Sequence, residues 1–128
     1  MCQVFINADP HLYDCRARSV RLHGVATSIR LENLFWNVLD DIARRDGMSV
    51  PQLCTKLYDE LIEARGAVDN FASFLRVCCG RYLALLLSGG IPSDSSIPIA
   101  SLNAQRVLAS ECWPLAMAPR QRPVVQAA

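Results

Sequence analysis

The feature that most constrains this chain is a short strand followed at once by a helix. Residues 26–31 alternate, with Thr27, Ile29 and Leu31 on one side and Ala26, Ser28 and Arg30 on the other. That is the period-2 pattern of a half-buried strand. From Asn33 the period changes. Leu34, Phe35, Val38, Leu39, Ile42 and Ala43 form one apolar stripe over residues 33–46, with Asp40, Asp41, Arg44 and Arg45 off it, as an amphipathic helix requires. A lone strand of five or six residues cannot satisfy its own backbone N–H and C=O groups, so it must pair. Two partners are open. Residues 16–22 also alternate, with Arg16, Arg18 and Arg21 around Val20 and Leu22, and His23-Gly24 could turn them back as a hairpin. The other partner is the same strand of a second copy, antiparallel across a two-fold axis, with residues 16–22 flanking that ribbon.

The helices that follow are well punctuated. Gly47 stops the first, since glycine enters the left-handed conformation without a β-carbon clash. Ser49 is a good N-cap for the second, and Pro51 fits its first turn, where a missing N–H costs little. This second helix runs to about Ala64 with Val50, Leu53, Cys54, Leu57, Tyr58, Leu61 and Ile62 inward, and Arg65-Gly66 ends it. A third starts near Asp69 or Asn70 and runs to about Leu87, with Phe71, Phe74, Leu75, Cys78, Tyr82, Leu85 and Leu86 inward. Residues 91–128 hold five of the seven prolines, so beyond a short helix near 101–111 they read as a tail. The chain therefore divides into an N-terminal extension with short strands (1–25), a strand–helix–helix core (26–65), a third helix packed on it (66–88) and a flexible Pro/Ser/Ala-rich tail (89–128). The class is mainly α with a short β-ribbon.

Composition narrows the function. With 128 residues, 52% hydrophobic and 20% charged, the chain has room for one domain and can fill a core. No run reaches the roughly 18–20 consecutive apolar residues of a membrane span. Asp9 and Asp14 precede the arginines, unlike a signal peptide. A soluble cytoplasmic protein that does not engage membranes is the expectation. Six cysteines without a Cys-x-x-Cys pair, and only His11 and His23 beside them, give no metal-ligand spacing, so neither metal nor cofactor is expected. Cys54 and Cys78 fall on apolar faces as small hydrophobes, and the adjacent Cys78 and Cys79 leave a redox role open. No nucleophile stands beside either histidine, His23 is a turn residue, and Asp40-Asp41 is a solvated helix exterior. The chain does not read as an enzyme.

Charge is distributed rather than abundant. The net charge is +1, yet residues 15–31 carry Arg16, Arg18, Arg21 and Arg30 with no acid, whereas residues 32–65 carry seven acids and four bases. Such a local positive face can hold phosphates on a nearly neutral chain. Ser49 and the Val50 N–H at a helix start offer free donors and a dipole to an anion.

The run Thr27-Ser28-Ile29-Arg30-Leu31-Glu32, a helix, Asp46-Gly47-Met48-Ser49 and a second helix resembles the ribbon-helix-helix (Arc/MetJ-like) superfamily of bacterial and phage DNA-binding repressors. The spacing from Ile29 to Gly47 suits that unit. Residues 18–83, with Phe35-Trp36 early in the first helix and Asn70-Phe71 opening the third, are similar to the subgroup called ribbon-helix-helix domain-containing protein. The resemblance implies a homodimer, of higher order on DNA, whose β-ribbon enters the major groove of double-stranded DNA. It makes the chain a transcriptional regulator, a repressor or autoregulator. It implies that Ala26, Ser28 and Arg30 read bases, Arg30 suiting guanine O6 and N7, whereas Ala26 stands where the family usually has a polar reader. It implies phosphate contacts from Ser49 and Val50, with Arg16, Arg18 and Arg21 added from the neighbouring strand. Its dimer core would hold Ile29, Leu31, Leu34, Val38, Leu53 and Leu57, with Trp36 in packing or a subunit contact. Two other readings share the fold: an antitoxin-type regulator whose tail binds a partner protein, and a helical protein-interaction module with little or no DNA binding.

Overall fold

The computed structural model describes residues 2–115; the last part of the expected tail, 116–128, lies outside the described residues. The elements run α1 (Cys2–Ile6), a 3-10 turn (Pro10–Tyr13), β1 (Cys15–Leu22), β2 (Val25–Glu32), α2 (Asn33–Arg45), α3 (Val50–Arg65), α4 (Phe71–Ser88), a second 3-10 turn (Ile99–Ser101) and α5 (Ala104–Ser110). Two compact units follow one another, Met1–Cys79 and Gly80–Ala128.

The strand's partner in the chain is its own neighbour. β1 pairs antiparallel with β2 over eight residues, from Cys15 opposite Glu32 to Leu22 opposite Val25. The connection is His23-Gly24, both at positive φ (50° and 77°). A two-residue turn of that kind is type I′, whose twist matches the strands it joins. The ladder runs one step further, where the Asn33 N–H donates to the Asp14 carbonyl at 2.9 Å. The Asn33 side chain donates to the His11 carbonyl at 2.9 Å, tying the start of α2 to the segment before β1.

One face of this hairpin is the floor of the first unit. Val20, Leu22, Ile29 and Leu31 are buried there, with Trp36, Val38, Leu39 and Ala43 from α2, Val50, Leu53 and Cys54 from α3, and Leu75 and Cys79 from α4. α2 ends with Arg44 and Arg45 in its last turn and Gly47 at φ 69°, charges and backbone suited to a helix C-terminus. α3 opens on a capping box: Ser49 Oγ accepts from the Gln52 N–H, and Gln52 Oε1 accepts from the Ser49 N–H. Of the two caps open for α4, Asn70 serves, its Oδ1 accepting from the Ser73 N–H at 3.0 Å.

The second unit departs from a flexible tail over its described part. Tyr82, Leu85 and Ile91 are buried in it. Arg81 donates twice to the Glu111 carboxylate, at 2.7 and 2.8 Å. α5 lies inside the expected 101–111 and is capped by Asn103. A β-carbon at Gly90 would meet Ser110 Oγ at 2.6 Å and Leu85 Cδ2 at 2.9 Å, so a larger residue there would have to displace those two side-chain ends. α4 is long and apolar enough, by length and composition, to cross a membrane; its two arginines, Arg76 and Arg81, are each held by a carboxylate.

Candidate nucleic-acid interface

Side chains of directly paired residues share a face of a sheet. The register therefore sorts the hairpin without ambiguity. On the core side stand Arg16 with Leu31, Arg18 with Ile29, Val20 with Thr27, and Leu22 with Val25. On the outward side stand Cys15 with Glu32, Ala17 with Arg30, Ser19 with Ser28, and Arg21 with Ala26. Ala26, Ser28 and Arg30 are exposed, while the alternate residues Ile29 and Leu31 are buried.

The three β1 arginines do not form one surface. Arg21 stands on the outward face, where its Nη1 donates to the Gly24 carbonyl at 3.2 Å. Arg16 and Arg18 belong to the other side. The Arg16 carbonyl accepts the Trp36 indole N–H at 2.8 Å, and the Arg18 guanidinium lies 5.2 Å from the centre of the Trp36 ring, a cation–π contact. Arg16 and Arg18, expected to add phosphate contacts from the neighbouring strand, thus lie on the face of the hairpin opposite Arg30. Trp36, 2% exposed, packs inside one chain.

The expected dimer core divides in the same way. Ile29, Leu31, Val38 and Leu53 are already buried within the single chain, Leu57 is half-buried, and Leu34 is exposed at 40%. At the start of α3 the capping box engages the Ser49 hydroxyl, and Pro51 has no N–H. Val50, the other residue expected at a phosphate, opens α3 and is buried, at 4% exposure.

Several residues that position this face were missed in the sequence. Thr55 on α3 donates its hydroxyl to the Arg21 carbonyl at 2.7 Å, covering the outer edge of β1. Glu32, at the end of β2, takes Arg76 of α4 in a two-pronged ion pair, with contacts of 2.7 to 3.2 Å. That guanidinium holds the Glu32 carboxyl below the usual carboxylate range and holds Arg76 above its own. At the hairpin tip His23 meets Tyr58 edge-on at 5.3 Å, Tyr58 meets Phe71 at 5.2 Å, and Phe71 stacks on Phe74 at 5.9 Å. Ala17 and Ser19 also went unassigned. Their signal was available: once Leu22 is set opposite Val25, every pair sums to the same number, and Ala17 falls beside Arg30.

No metal cluster emerges among the described residues, and the two buried thiols are quiet. No group of three His, Cys, Asp or Glu is placed to hold a metal ion. Burial pushes the Cys54 thiol up to about 11 and the Cys79 thiol up to about 12, which keeps both protonated and unreactive at neutral pH. Between β1 and α3 an open groove of about 760 Å³ is bordered by Ser19, Arg21, Lys56, Asp59 and Glu60, mixing basic and acidic groups beside the outward face.

The family model described as ribbon-helix-helix domain matches residues 15–83. A solved structure, that of an uncharacterized protein from Bordetella pertussis Tohama I, is similar at 55% identity, covers 96% of each chain and superposes with a TM-score of 0.85. No protein of curated function matches. The matched span takes in the hairpin, α2, α3 and most of α4, and the chain belongs to the ribbon-helix-helix domain family.

Proposed function

We propose that this chain is a sequence-specific transcriptional regulator that binds double-stranded DNA as a homodimer, with the outward face of the hairpin in the major groove. One observation carries the reading: Arg30, Ser28 and Ala26 are exposed on the face opposite buried Ile29 and Leu31, and β1 adds Arg21 to that face. The family is one of DNA-binding regulators that are typically not enzymes, which agrees. Arg30 reads guanine through two parallel hydrogen bonds, Ser28 discriminates less, and Ala26 touches only a thymine methyl. Ser49 and the Val50 N–H hold a phosphate at the start of α3. A cytoplasmic location follows from this activity.

A gel-shift titration of the full chain against duplexes selected from a random library tests it. Wild type binds with marked salt dependence, and Arg30→Ala loses about 1–3 kcal/mol at the selected site. Absence of binding to any duplex at low salt overturns the reading and leaves the interaction-module alternative, which the acidic Asp59 and Glu60 beside the groove would suit.

A further inference from the structure

The unit Gly80–Ala128 leaves one side of its helix bare. Tyr82 and Leu85 are buried, whereas Gly80, Leu83 and Leu87 are exposed and Ala84 is half-buried. At 3.6 residues per turn, positions 80, 83, 84 and 87 share one stripe over about two turns. Leu87, at 80%, is the most exposed large apolar side chain among the described residues. Trp113 and Leu115 are exposed too, and they border one shallow crevice with Ala84 and Ser88, so they widen the apolar face on that flank. The charges at the rim are engaged with each other: Arg81 donates twice to the Glu111 carboxylate, which also accepts from the Trp113 side chain.

Gly80 lies in this stripe, in the middle of an 18-residue helix, where glycine is less favourable than alanine. A β-carbon there would meet nothing within 4 Å. Packing within the chain therefore gives no reason for glycine at this position. Its effect is on the surface: a hollow, about two turns from the projecting Leu87.

We propose that this face is the docking site for a second copy of the chain, the two α4 helices packing antiparallel about a two-fold axis between Leu83 and Ala84. That axis sets Leu87 over the partner's Gly80 at both ends, a projection into a hollow. The two Leu83 side chains meet on one side of the axis. The two Ala84 side chains meet on the other, where Trp113 and Leu115 of each copy fill the room they leave. A second copy is the occupant that fits because one face carries both the projection and the hollow, as an isologous contact requires. The fit is also electrically neutral: Arg81 is held by Glu111, so the face offers nothing for a charged partner to pair with. A membrane suits it less, because a helix lying on lipid takes Lys and Arg on its polar face.

Exposed apolar patches of this kind reach about 300–600 Å², short of the roughly 800 Å² per partner of a standard stable complex. The contact is accordingly weak, and it acts where copies are concentrated or already held close together. It uses a different element from the hairpin and does not rest on the DNA reading.

Sedimentation of the full chain without DNA, from micromolar to millimolar concentration, tests it. The mass of wild type rises towards twice that of its smallest species. Leu87→Glu weakens this step at least tenfold. Gly80→Leu fills the hollow and weakens it as much, while its thermal unfolding midpoint stays at or above that of wild type; a glycine needed only for folding would lower it. Mild oxidation of Leu83→Cys gives a disulfide that maps to position 83 of both chains. Leu87→Cys gives none at its own position, since its two copies lie about 10 Å apart along the helices. A wild-type mass that does not change with concentration, a step that neither substitution weakens, or a disulfide between two positions 87 overturns the proposal. Flotation with phospholipid vesicles by a chain that stays at its smallest species overturns it in favour of a lipid surface. Failure of wild type to bind any duplex removes the regulator reading and leaves this contact standing.

Discussion

Glu32 shows how one residue can serve several levels of structure. It ends β2, is the N-cap position of α2, and holds Arg76 of α4 across 44 residues of sequence. Its carboxyl is held below the ordinary range, first by the hydrogen bonds from Arg76. A group whose folded pKa is depressed stabilises the fold above its unfolded value of 4.5, and that contribution is lost as pH falls through the folded value. Glu32→Gln should therefore cost about 1 kcal/mol at pH 7, modest because Arg76 is 38% exposed. The difference from wild type should shrink as pH falls below 4.5 and vanish only below the lower folded value, as read by urea denaturation across pH. Leu39, with no exposure, belongs to the other kind of residue. Leu39→Ala should cost about 2–5 kcal/mol by transfer and cavity terms together, measured the same way.

At the level of elements, local rules were sufficient wherever the signal is local. The stripe from Leu34 to Ala43, the Gly47 stop and the Ser49 cap set α2 and α3 to within a residue or two. They were insufficient where partners are distant. Alternation says that residues 26–31 must pair and says nothing of with whom; the His23-Gly24 turn, at φ 50° and 77°, decided that for β1. The outward trio Ala26, Ser28 and Arg30 was legible, since burial of Ile29 and Leu31 forces it. The parting of Arg16 and Arg18 from Arg21 was not, because phase depends on the register across the turn. Thr55 and Arg76 were silent for the same reason: a hydroxyl and a guanidinium on helix surfaces have no local pattern that names a strand as partner. Two substitutions test the punctuation. Gly24→Ala should cost about 1–2 kcal/mol, because a β-carbon is placed at positive φ. Ser49→Ala should cost about 1 kcal/mol by opening the capping box. Thermal melts of both against wild type check them.

At the level of the whole molecule, the decisive number is small. A net charge of +1 gives no general attraction for DNA, so in the regulator reading proposed above the outward face of the hairpin carries it. Raising salt from about 50 to 200 mM should therefore weaken binding steeply, with a slope set by few phosphate contacts, and Lys56→Ala should change it far less than Arg21→Ala. The intrachain pairing of β1 with β2 has a further consequence, and it concerns time. A ribbon assembled only from two copies cannot form until the copies collide, so its folding slows on dilution. Here the strands that pair are neighbours joined by two residues, a local closure that forms on the microsecond scale. The sheet face, Trp36 and the helices above it can thus be complete before any encounter. Refolding followed by Trp fluorescence should give a main phase whose rate is unchanged across a hundredfold range of protein concentration, with association appearing later as a separate, concentration-dependent step. A newly made chain would be shielded from the ribosome onward, folded first and paired afterwards.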